Sequence, residues 1–249
     1  MRKILAISFL LLSCSASAQD CVVLLHGLLR SDSSMATLEQ ALSEQGYAVV
    51  NMDYPSTEYP IEHLADTYVV QAINQCDTQS KTQGNAHIKT HSNINSNINS
   101  NTHFVTHSMG GILLRDYVDR HGSAGIGRVV MLGPPNQGSE AVDKLRFLPV
   151  FGWLHGPAGL QLGTDQQSRV KQLGAVDFEL GVIAGTQSIN PLLSVLIPGS
   201  DDGKVSVENT KVLGMKAHKV MSVTHPMMMK NEKVIGQTVQ FLATGTFAN

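Results

Sequence analysis

The sequence has few charged residues, no basic stripe and no long apolar run beyond its N-terminus. Charged residues make up 15% of the 249 residues, and the formal net charge is −2. Because lysine and arginine are scattered and not interleaved with aromatic residues, we expect no nucleic-acid partner. No run outside the N-terminus approaches transmembrane length, so we expect no stable membrane span. The length and a hydrophobic content of 42% are typical of a chain with one sizeable core.

The N-terminus has the pattern of a secretory signal peptide. Arg2-Lys3 precede an apolar run from Ile4 to Leu12, and Ala16-Ser17-Ala18 is a small-x-small cleavage site. We therefore expect residues 1–18 to be removed. The mature chain, residues 19–249, is expected to be a single exported domain, either periplasmic or secreted.

The order of the predicted elements indicates an α/β fold with a mostly parallel sheet flanked by helices. A continuous apolar run at residues 21–25 suits a central strand that is buried on both faces. Further apolar runs alternate with segments in which apolar residues recur at helical spacing. They predict strands at 47–52, 102–106, 128–132, 180–185 and 218–223, and helices up to Gln45, over 61–75, after Ser108 and from about Pro226 to Leu242.

The chain contains three cysteines. Cys14 ends a Leu-Leu-Ser-Cys stretch that loosely resembles a bacterial lipoprotein box, so a lipid anchor there is the less favoured alternative to cleavage after Ala18. Cleavage leaves Cys21 and Cys76, and an even number in an exported protein favours a disulfide. Right-handed crossovers return the helix that ends at Cys76 to the sheet edge where Cys21 begins the first strand. We therefore predict a structural Cys21–Cys76 disulfide at that edge.

Residues 78–101 form a low-complexity insertion rich in Asn, Ser, Thr, Gln and Lys. It has no period that could bury one face, so we expect a solvated loop. The histidines in this insertion and directly after it, His87, His91 and His103, raise the alternative of a metal site. Neither tight ligand spacing nor an accompanying carboxylate is present, so we expect no metal there.

Residues 140–174 follow the C-terminal end of a predicted strand, which is the sheet edge where α/β folds place ligand sites. The segment contains Phe147, Phe151 and the only tryptophan, Trp153. One interpretation is a small cap whose aromatic side chains line an apolar substrate pocket. The other is that these side chains merely pack the segment onto the fold.

A small-residue turn at Ser108 joins a predicted strand to a predicted helix. A serine on such a turn projects its hydroxyl above the sheet edge, and the N–H of the next residue, Met109, then points at a developing oxyanion. A second donor is needed from the loop after the first strand, where the Leu28 N–H is the candidate. His26 is expected to brace that loop. His107 lies beside the serine, and on a tight turn its side chain is expected to point away from the hydroxyl.

A serine nucleophile needs a base, and the base needs a carboxylate that holds its tautomer. His225 directly follows the last predicted strand and is preferred to His218, which lies in or at the start of that strand. Asp202 is preferred to Asp201, because an Asp before Gly-x-Val can turn its carboxylate inward. The order Ser108, Asp202, His225 predicts a catalytic triad.

Five motifs in this order resemble the α/β-hydrolase superfamily, and within it the bacterial lipase/esterase-like group. They are Leu25-His26-Gly27-Leu28, Thr106-His107-Ser108-Met109-Gly110-Gly111, Gly133-Pro134-Pro135-Asn136-Gln137-Gly138-Ser139, Asp201-Asp202-Gly203-Lys204-Val205 and Thr224-His225. One departure is Thr106, which stands where the family's turn usually begins with glycine. The resemblance implies hydrolysis of carboxylic esters through an acyl-enzyme, with no cofactor and no metal.

The predicted function is therefore a serine carboxylester hydrolase, esterase- or lipase-like, with a small-molecule or lipid ester as substrate. Thioester or amide hydrolysis and acyl transfer use the same triad and remain alternatives. An alternative from another class is a non-catalytic binding protein on a hydrolase scaffold. That alternative is disfavoured, because a binding module has no need to retain nucleophile, acid and base together.

Overall fold

The computed structural model describes residues 20–84, 101–189, 194–195 and 197–249, with only the backbone described for 80–84. The predicted signal peptide with Cys14 and most of the predicted insertion, including His87 and His91, lie outside the described residues.

Six parallel strands form one sheet in the order β2-β1-β3-β4-β5-β6. The strands are β1 (Cys21–Leu25), β2 (Ala48–Met52), β3 (Thr102–His107), β4 (Ile126–Leu132), β5 (Leu180–Gln187) and β6 (Ala217–Thr224). This sheet confirms the predicted mostly parallel α/β architecture.

Most of the strands are followed by one or more helices. They are α1 (Ala36–Glu44), α2 (Ile61–Leu64), α3 (Val70–Gly84), α4 (Met109–His121), α5 (Glu140–Leu145), α6 (Pro149–Leu160), α7 (Arg169–Gln172) and α8 (Glu232–Thr244), with a π-helical turn at Ala65–Val69 between α2 and α3. None of the helices in the described ranges is long and apolar enough to cross a bilayer.

The C-terminal helix begins later than the sequence pattern predicts. Pro226 lies in a 3-10 segment, His225–Lys230, and α8 starts only after Asn231. The Asn231 side-chain oxygen accepts the N–H groups of Lys233 and Val234 at 3.0 and 3.2 Å. This cap supplies the helix start that the pattern had assigned to the proline.

Both faces of the sheet are covered, as expected for parallel strands. In β1, Val22 and Leu24 belong to a hydrophobic cluster with residues of α1 and α8, whereas Val23 and Leu25 belong to a cluster with residues of α2 to α4. Side chains alternate along a strand, so the continuous apolar sequence of β1 fills a core on each side of the sheet.

The Cys21–Cys76 disulfide is present, and it confirms the pairing predicted from the sequence. It joins the first residue of β1 to α3. Helix α3 continues beyond the predicted end at 75 and reaches residue 84, inside the segment that was predicted to be a loop.

The strand order reverses at β1, because β2 lies on one side of it and β3 on the other. The register pairs Leu25 with Thr106, so the last residue of β1 lies beside the last but one of β3. Ligand sites of open α/β sheets form outside the carboxyl ends of the strands at such a reversal. His26 and Ser108 immediately follow these two strand ends.

Candidate active site

Ser108 lies between β3 and α4 with φ 53° and ψ −123°, a conformation that costs a non-glycine residue about 1–3 kcal/mol. Its N–H donates to the carbonyl of Leu132 at 2.9 Å, and its own carbonyl accepts the N–H of Gly111 at 3.1 Å. A Cβ on Gly110 would lie 2.4 Å from the Leu25 carbonyl oxygen. The start of α4 therefore packs directly on the end of β1, which only glycine permits.

Thr106 occupies the position where the resembling family usually has glycine. Its side chain is fully buried, and its hydroxyl has no hydrogen-bond partner among the described residues. A Cβ on Gly111 would lie 3.1 Å from the Thr106 Oγ1. The absence of a side chain at Gly111 provides the space in which the threonine fits.

The His225 ring donates from Nδ1 to the Asp202 Oδ2 over 2.7 Å. Asp202 is fully buried, and its second oxygen accepts the N–H groups of Lys204 and Val205 at 3.0 and 2.9 Å. The His225 N–H also donates to the Asp202 carbonyl at 3.0 Å. Main chain and side chain together fix the orientation of the imidazole, whose Nε2 is left for a substrate or a nucleophile.

The two competing residues lie elsewhere. The carboxylate of Asp201 accepts the Ser194 hydroxyl at 2.8 Å and the Gly203 N–H at 2.7 Å, which stabilise the loop. His218 lies in β6, and its Nε2 is 2.8 Å from the Thr210 hydroxyl oxygen.

The loop after β1 is braced by His26, which is fully buried with its ring stacked 3.9 Å from that of Tyr54. The Tyr54 N–H donates to Nε2 at 3.3 Å, so the proton is on Nδ1, which donates to the Gly27 carbonyl at 2.9 Å. The Tyr54 hydroxyl donates to the His26 carbonyl. Burial lowers the pKa of His26, and the neutral ring holds the loop that carries Leu28.

This loop also packs on the serine turn. A Cβ on Gly27 would lie 2.8 Å from the His107 Nδ1 and 3.1 Å from the Ser108 Cβ. Leu28, next in the chain, lines the same cavity as Ser108, and Met109 is the fully buried first residue of α4. The loop that carries one predicted oxyanion donor is therefore adjacent to the turn that carries the other.

His107 has a role that sequence reasoning missed. Its Nε2–H donates to the main-chain carbonyl of His225 at 3.1 Å, and the two rings lie 4.7 Å apart. Burial, followed by the charge of His225, places the pKa of His107 well below its ordinary value. The neutral ring ties the chain beside the serine to the chain at the histidine.

Ser108 and His225 line a cavity of about 290 Å³. Its other walls are mostly apolar and come from the loop after β1, the turn after β4, the segment 140–174 and the loop that follows Asp202. These lining residues are Leu28, Leu29, Arg30, His107, Pro135, Ser139, Ala141, Val142, Leu145, Phe151, His155, Leu162, Lys204 and Val205.

The three predicted pocket aromatics separate in the structure. Phe151 lines the cavity, whereas Phe147 and Trp153 are 83% and 84% exposed and do not line it. Phe151 stacks on His155, one helical turn later, at 4.0 Å. Within α6 the i, i+4 spacing of Phe151 and His155 places both on the face toward the cavity, whereas Trp153, two residues after Phe151, is on the outward face, and Phe147 precedes the helix.

The turn after β4, which begins at Gly133, also positions the site. A Cβ on Gly133, whose φ is +55°, would lie 2.9 Å from the Asp202 Oδ2 and 3.1 Å from the His225 Nδ1. The buried Arg115 guanidinium holds this turn by donating to the carbonyl and side-chain oxygens of Asn136 at 2.9 and 3.2 Å. Burial lowers the pKa of Arg115 to about 10.

In the described ranges, no three His, Cys, Asp or Glu side chains are arranged to hold a metal ion. His103 lies in β3, directly after the predicted insertion, and accepts the Arg128 N–H at 2.8 Å through Nδ1.

A family model described as palmitoyl protein thioesterase matches residues 21–173, more than half of the chain. No curated protein sequence in the comparison matches it.

Solved structures show the same fold. The propeptide form of the Bacillus licheniformis lipase BlEst2 has a TM-score of 0.66 at 18% identity, over 93% of this chain and 52% of that one. The chain thus spans about half the length of that form. The mature form has a TM-score of 0.62 at 18% identity, over 92% and 93% of the two chains. The esterase RhEst1 from Rhodococcus sp. ECU1013 has a TM-score of 0.52 at 17% identity, over 91% of each. These likenesses confirm the predicted α/β-hydrolase fold.

Proposed function

Because the chain belongs to the palmitoyl protein thioesterase family, we propose that it is a serine hydrolase that cleaves carboxylic esters through an acyl-enzyme on Ser108. His225 is the general base and acid, and Asp202 orients it. The main-chain N–H groups of Leu28 and Met109 bind the oxyanion. No cofactor or metal takes part in this mechanism.

One observation carries the proposal. His225 bonds to the buried Asp202 at 2.7 Å and lines the same cavity as Ser108, which stands in a strained positive-φ turn. A strained backbone at the end of a strand lowers stability. Beside an oriented imidazole, it has the function of presenting the serine hydroxyl as a nucleophile. A binding protein would gain nothing from this combination, which argues against a silent scaffold.

The proposed reaction has two halves. Ser108 Oγ attacks the ester carbonyl while His225 Nε2 takes its proton, and the carbonyl oxygen becomes an oxyanion at Leu28 and Met109. The C–O bond to the alcohol then breaks, and His225 gives its proton to the leaving oxygen. Water repeats the sequence on the acyl-enzyme and releases the acid. Each oxyanion donor is worth about 3 kcal/mol of transition-state stabilisation.

The cavity indicates the kind of substrate. At about 290 Å³ with mostly apolar walls, it is at the lower end of small-molecule sites. This size favours a compact acyl group of a small-molecule or lipid ester. The description of the matching family favours thioester hydrolysis as the second candidate function, because a thiol leaves from the same acyl-enzyme.

We also propose that the protein is exported to the periplasm or the medium. The N-terminal pattern at residues 1–18 favours this location. The Cys21–Cys76 disulfide supports it, because such bonds persist in oxidising compartments.

The test compares wild type, Ser108→Ala and the matched control Ser43→Ala, which removes an exposed hydroxyl from α1. The substrates are p-nitrophenyl esters from acetyl to palmitoyl, and one S-acyl thioester for each acyl group. We expect Ser108→Ala to lose turnover and labelling by a fluorophosphonate probe, with an unchanged circular dichroism spectrum. Ser43→Ala should keep both the turnover and the labelling. The rate ratio of ester to thioester chooses between the two reactions. Turnover retained by Ser108→Ala would refute the proposal.

A further inference from the structure

Two cationic side chains, Arg30 and Lys204, line the cavity that contains Ser108 and His225. Neither belongs to the proposed triad or to the oxyanion hole. No aspartate or glutamate is among the residues that line this cavity. The cavity therefore combines positive charge with walls that are otherwise mostly apolar.

These cations have no protein partner in the described part of the chain: neither side chain forms an ion pair or a hydrogen bond there. The other described arginines all donate to carboxylates or to main-chain carbonyls, and they are Arg115, Arg120, Arg128, Arg146 and Arg169. The structural arginines in the described ranges are thus paired. Among the described arginines, the free guanidinium of Arg30 at the cavity is the exception.

The two charges act on each other. Loss of hydration, followed by the positive charge of Arg30, lowers the pKa of Lys204, and the attraction of Asp202 is a smaller influence. Two like charges on one cavity raise each other's energy. An anion bound between them would relieve this repulsion, so the pair is suited to a negatively charged ligand.

The position of Lys204 indicates which end of the substrate carries the charge. The main-chain N–H of Lys204 donates to the Asp202 Oδ1 at 3.0 Å, so Lys204 follows closely on the residue that orients His225, and Lys204 and His225 line the same cavity. His225 must reach the leaving atom in order to protonate it. The apolar side chains of the cap, Ala141, Val142, Leu145, Phe151 and Leu162, line the cavity and suit an acyl chain.

We infer that Arg30 and Lys204 form an anion-recognition subsite, and that the substrate is an acyl ester or thioester whose leaving group carries a carboxylate or a phosphate. The inference rests on the proposed function, because it assigns the substrate class of the same site. The acyl chain lies in the cavity against its apolar walls. The anionic alcohol or thiol lies at its cationic side, where it departs after protonation by His225.

The test uses esters of one acyl group that differ in the charge of the leaving phenol. These are 4-(butanoyloxy)benzoate, its neutral methyl ester, 4-(butanoyloxy)phenyl phosphate and the cationic 4-(butanoyloxy)phenyl trimethylammonium. Each kcat/KM is divided by the rate of hydroxide hydrolysis of the same ester, which removes differences in chemical reactivity. We expect the carboxylate or the phosphate ester to exceed the neutral ester by about tenfold at low salt, and the ratio to fall as salt is added.

Variants assign the preference to the two residues. In Arg30→Gln/Lys204→Gln we expect the normalised ratio of anionic to neutral ester to fall to about one. The control Lys230→Gln/Lys233→Gln removes the same net charge from exposed lysines that do not line the cavity, and its ratio should equal that of wild type. If the control lowers the ratio as much as the Arg30→Gln/Lys204→Gln variant does, the preference is caused by net charge and the subsite is refuted.

A further pair of esters tests the placement on the leaving-group side. The 4-nitrophenyl monoester of glutarate carries its carboxylate on the acyl group, and its methyl ester is the neutral reference. A preference for this acyl anion equal to that for the benzoate would overturn the placement, and equal normalised rates for all charges would overturn the subsite. Failure of the proposed function looks different, because the neutral ester would then be cleaved equally by wild type and Ser108→Ala.

Discussion

The Nε2–H of His107 donates to the main-chain carbonyl of His225 at 3.1 Å, across a separation of 118 residues. This bond joins the residue before the proposed nucleophile to the proposed base. His225 is thus held at its side chain by Asp202 and at its main chain by His107. Two points of attachment fix the imidazole in position and in rotation, which is the pre-organisation that proton transfer requires.

We predict that replacing His107 with leucine lowers kcat by about tenfold with little change in KM, because the His225 carbonyl loses a buried donor worth about 1–2 kcal/mol. His107→Gln provides the matched control, because its amide can still donate. Steady-state kinetics on a p-nitrophenyl ester measure both variants. Equal losses of kcat in leucine and glutamine variants would show that ring packing, and not the hydrogen bond, is what matters.

The adjacent aspartates provide a second test. Asp202→Asn should lower kcat by roughly 10³- to 10⁴-fold, because the amide cannot stabilise the imidazolium that forms at His225. Asp201→Asn retains an acceptor for the Ser194 hydroxyl and the Gly203 N–H, so its kcat should change by less than about threefold. Urea unfolding of both variants controls for stability. A loss at Asp201 as large as at Asp202 would contradict the proposed acid.

Much of the fold was accessible from the sequence because its signals are local. The apolar run that became β1 and the spacing of apolar residues in the helices report burial directly. The Cys21–Cys76 pair followed from the direction of the crossover, since a right-handed connection leaves few places for the second cysteine. The strands and helices needed only neighbouring residues, and the disulfide needed in addition a general rule of chain geometry.

Other features could not be read from the apolar pattern and composition alone. The aromatic content of residues 140–174 did not distinguish Phe151, which lines the cavity, from the exposed Phe147 and Trp153, because only the register of α6 does so. The cations Arg30 and Lys204 come from different loops, and only the folded chain places them on one cavity. Helix α8 starts late because an asparagine cap outweighs a preceding proline.

Buried histidines make stability depend on pH. Burial lowers the pKa of His107 well below its ordinary value, and it also lowers the pKa of His26. Below about pH 6.5 the unfolded chain therefore binds protons that the native state does not bind. The two histidines thus contribute fully to the free energy of unfolding above that pH, and this contribution is lost as the pH falls. The slope is up to about 1.4 kcal/mol per pH unit for each histidine.

We predict that the free energy of unfolding of His107→Gln falls less steeply than that of wild type between pH 7.5 and 5.5. Urea denaturation at several pH values measures the slopes, and pH 8 gives the reference in which these histidines are neutral in both states. The difference between the slopes gives the contribution of His107 together with that of the groups coupled to it, His225 and His26 among them. Parallel curves would show that this histidine takes up a proton in the native state as readily as in the unfolded chain.

Thr106 provides a test of stability that is separate from catalysis. Its hydroxyl is buried without a partner in the described part of the chain, and burial of an unpaired hydroxyl costs about 1–3 kcal/mol. Valine has nearly the same shape and no hydroxyl, so Thr106→Val should raise the free energy of unfolding by about 1 kcal/mol. Thr106→Ser is the control, because it keeps the hydroxyl and loses the methyl group, and it should destabilise. Urea unfolding measures all three proteins, and a valine variant less stable than wild type would show that the hydroxyl is satisfied, for example by a buried water.

The close fit of Thr106 beside Gly111 predicts a coupling between the two positions. A Cβ at residue 111 would lie 3.1 Å from the Thr106 Oγ1, which is a tight contact. Alanine at 111 should therefore be tolerated less well with Thr106 than with glycine at 106. This coupling would explain how the chain departs from the usual turn without losing its geometry.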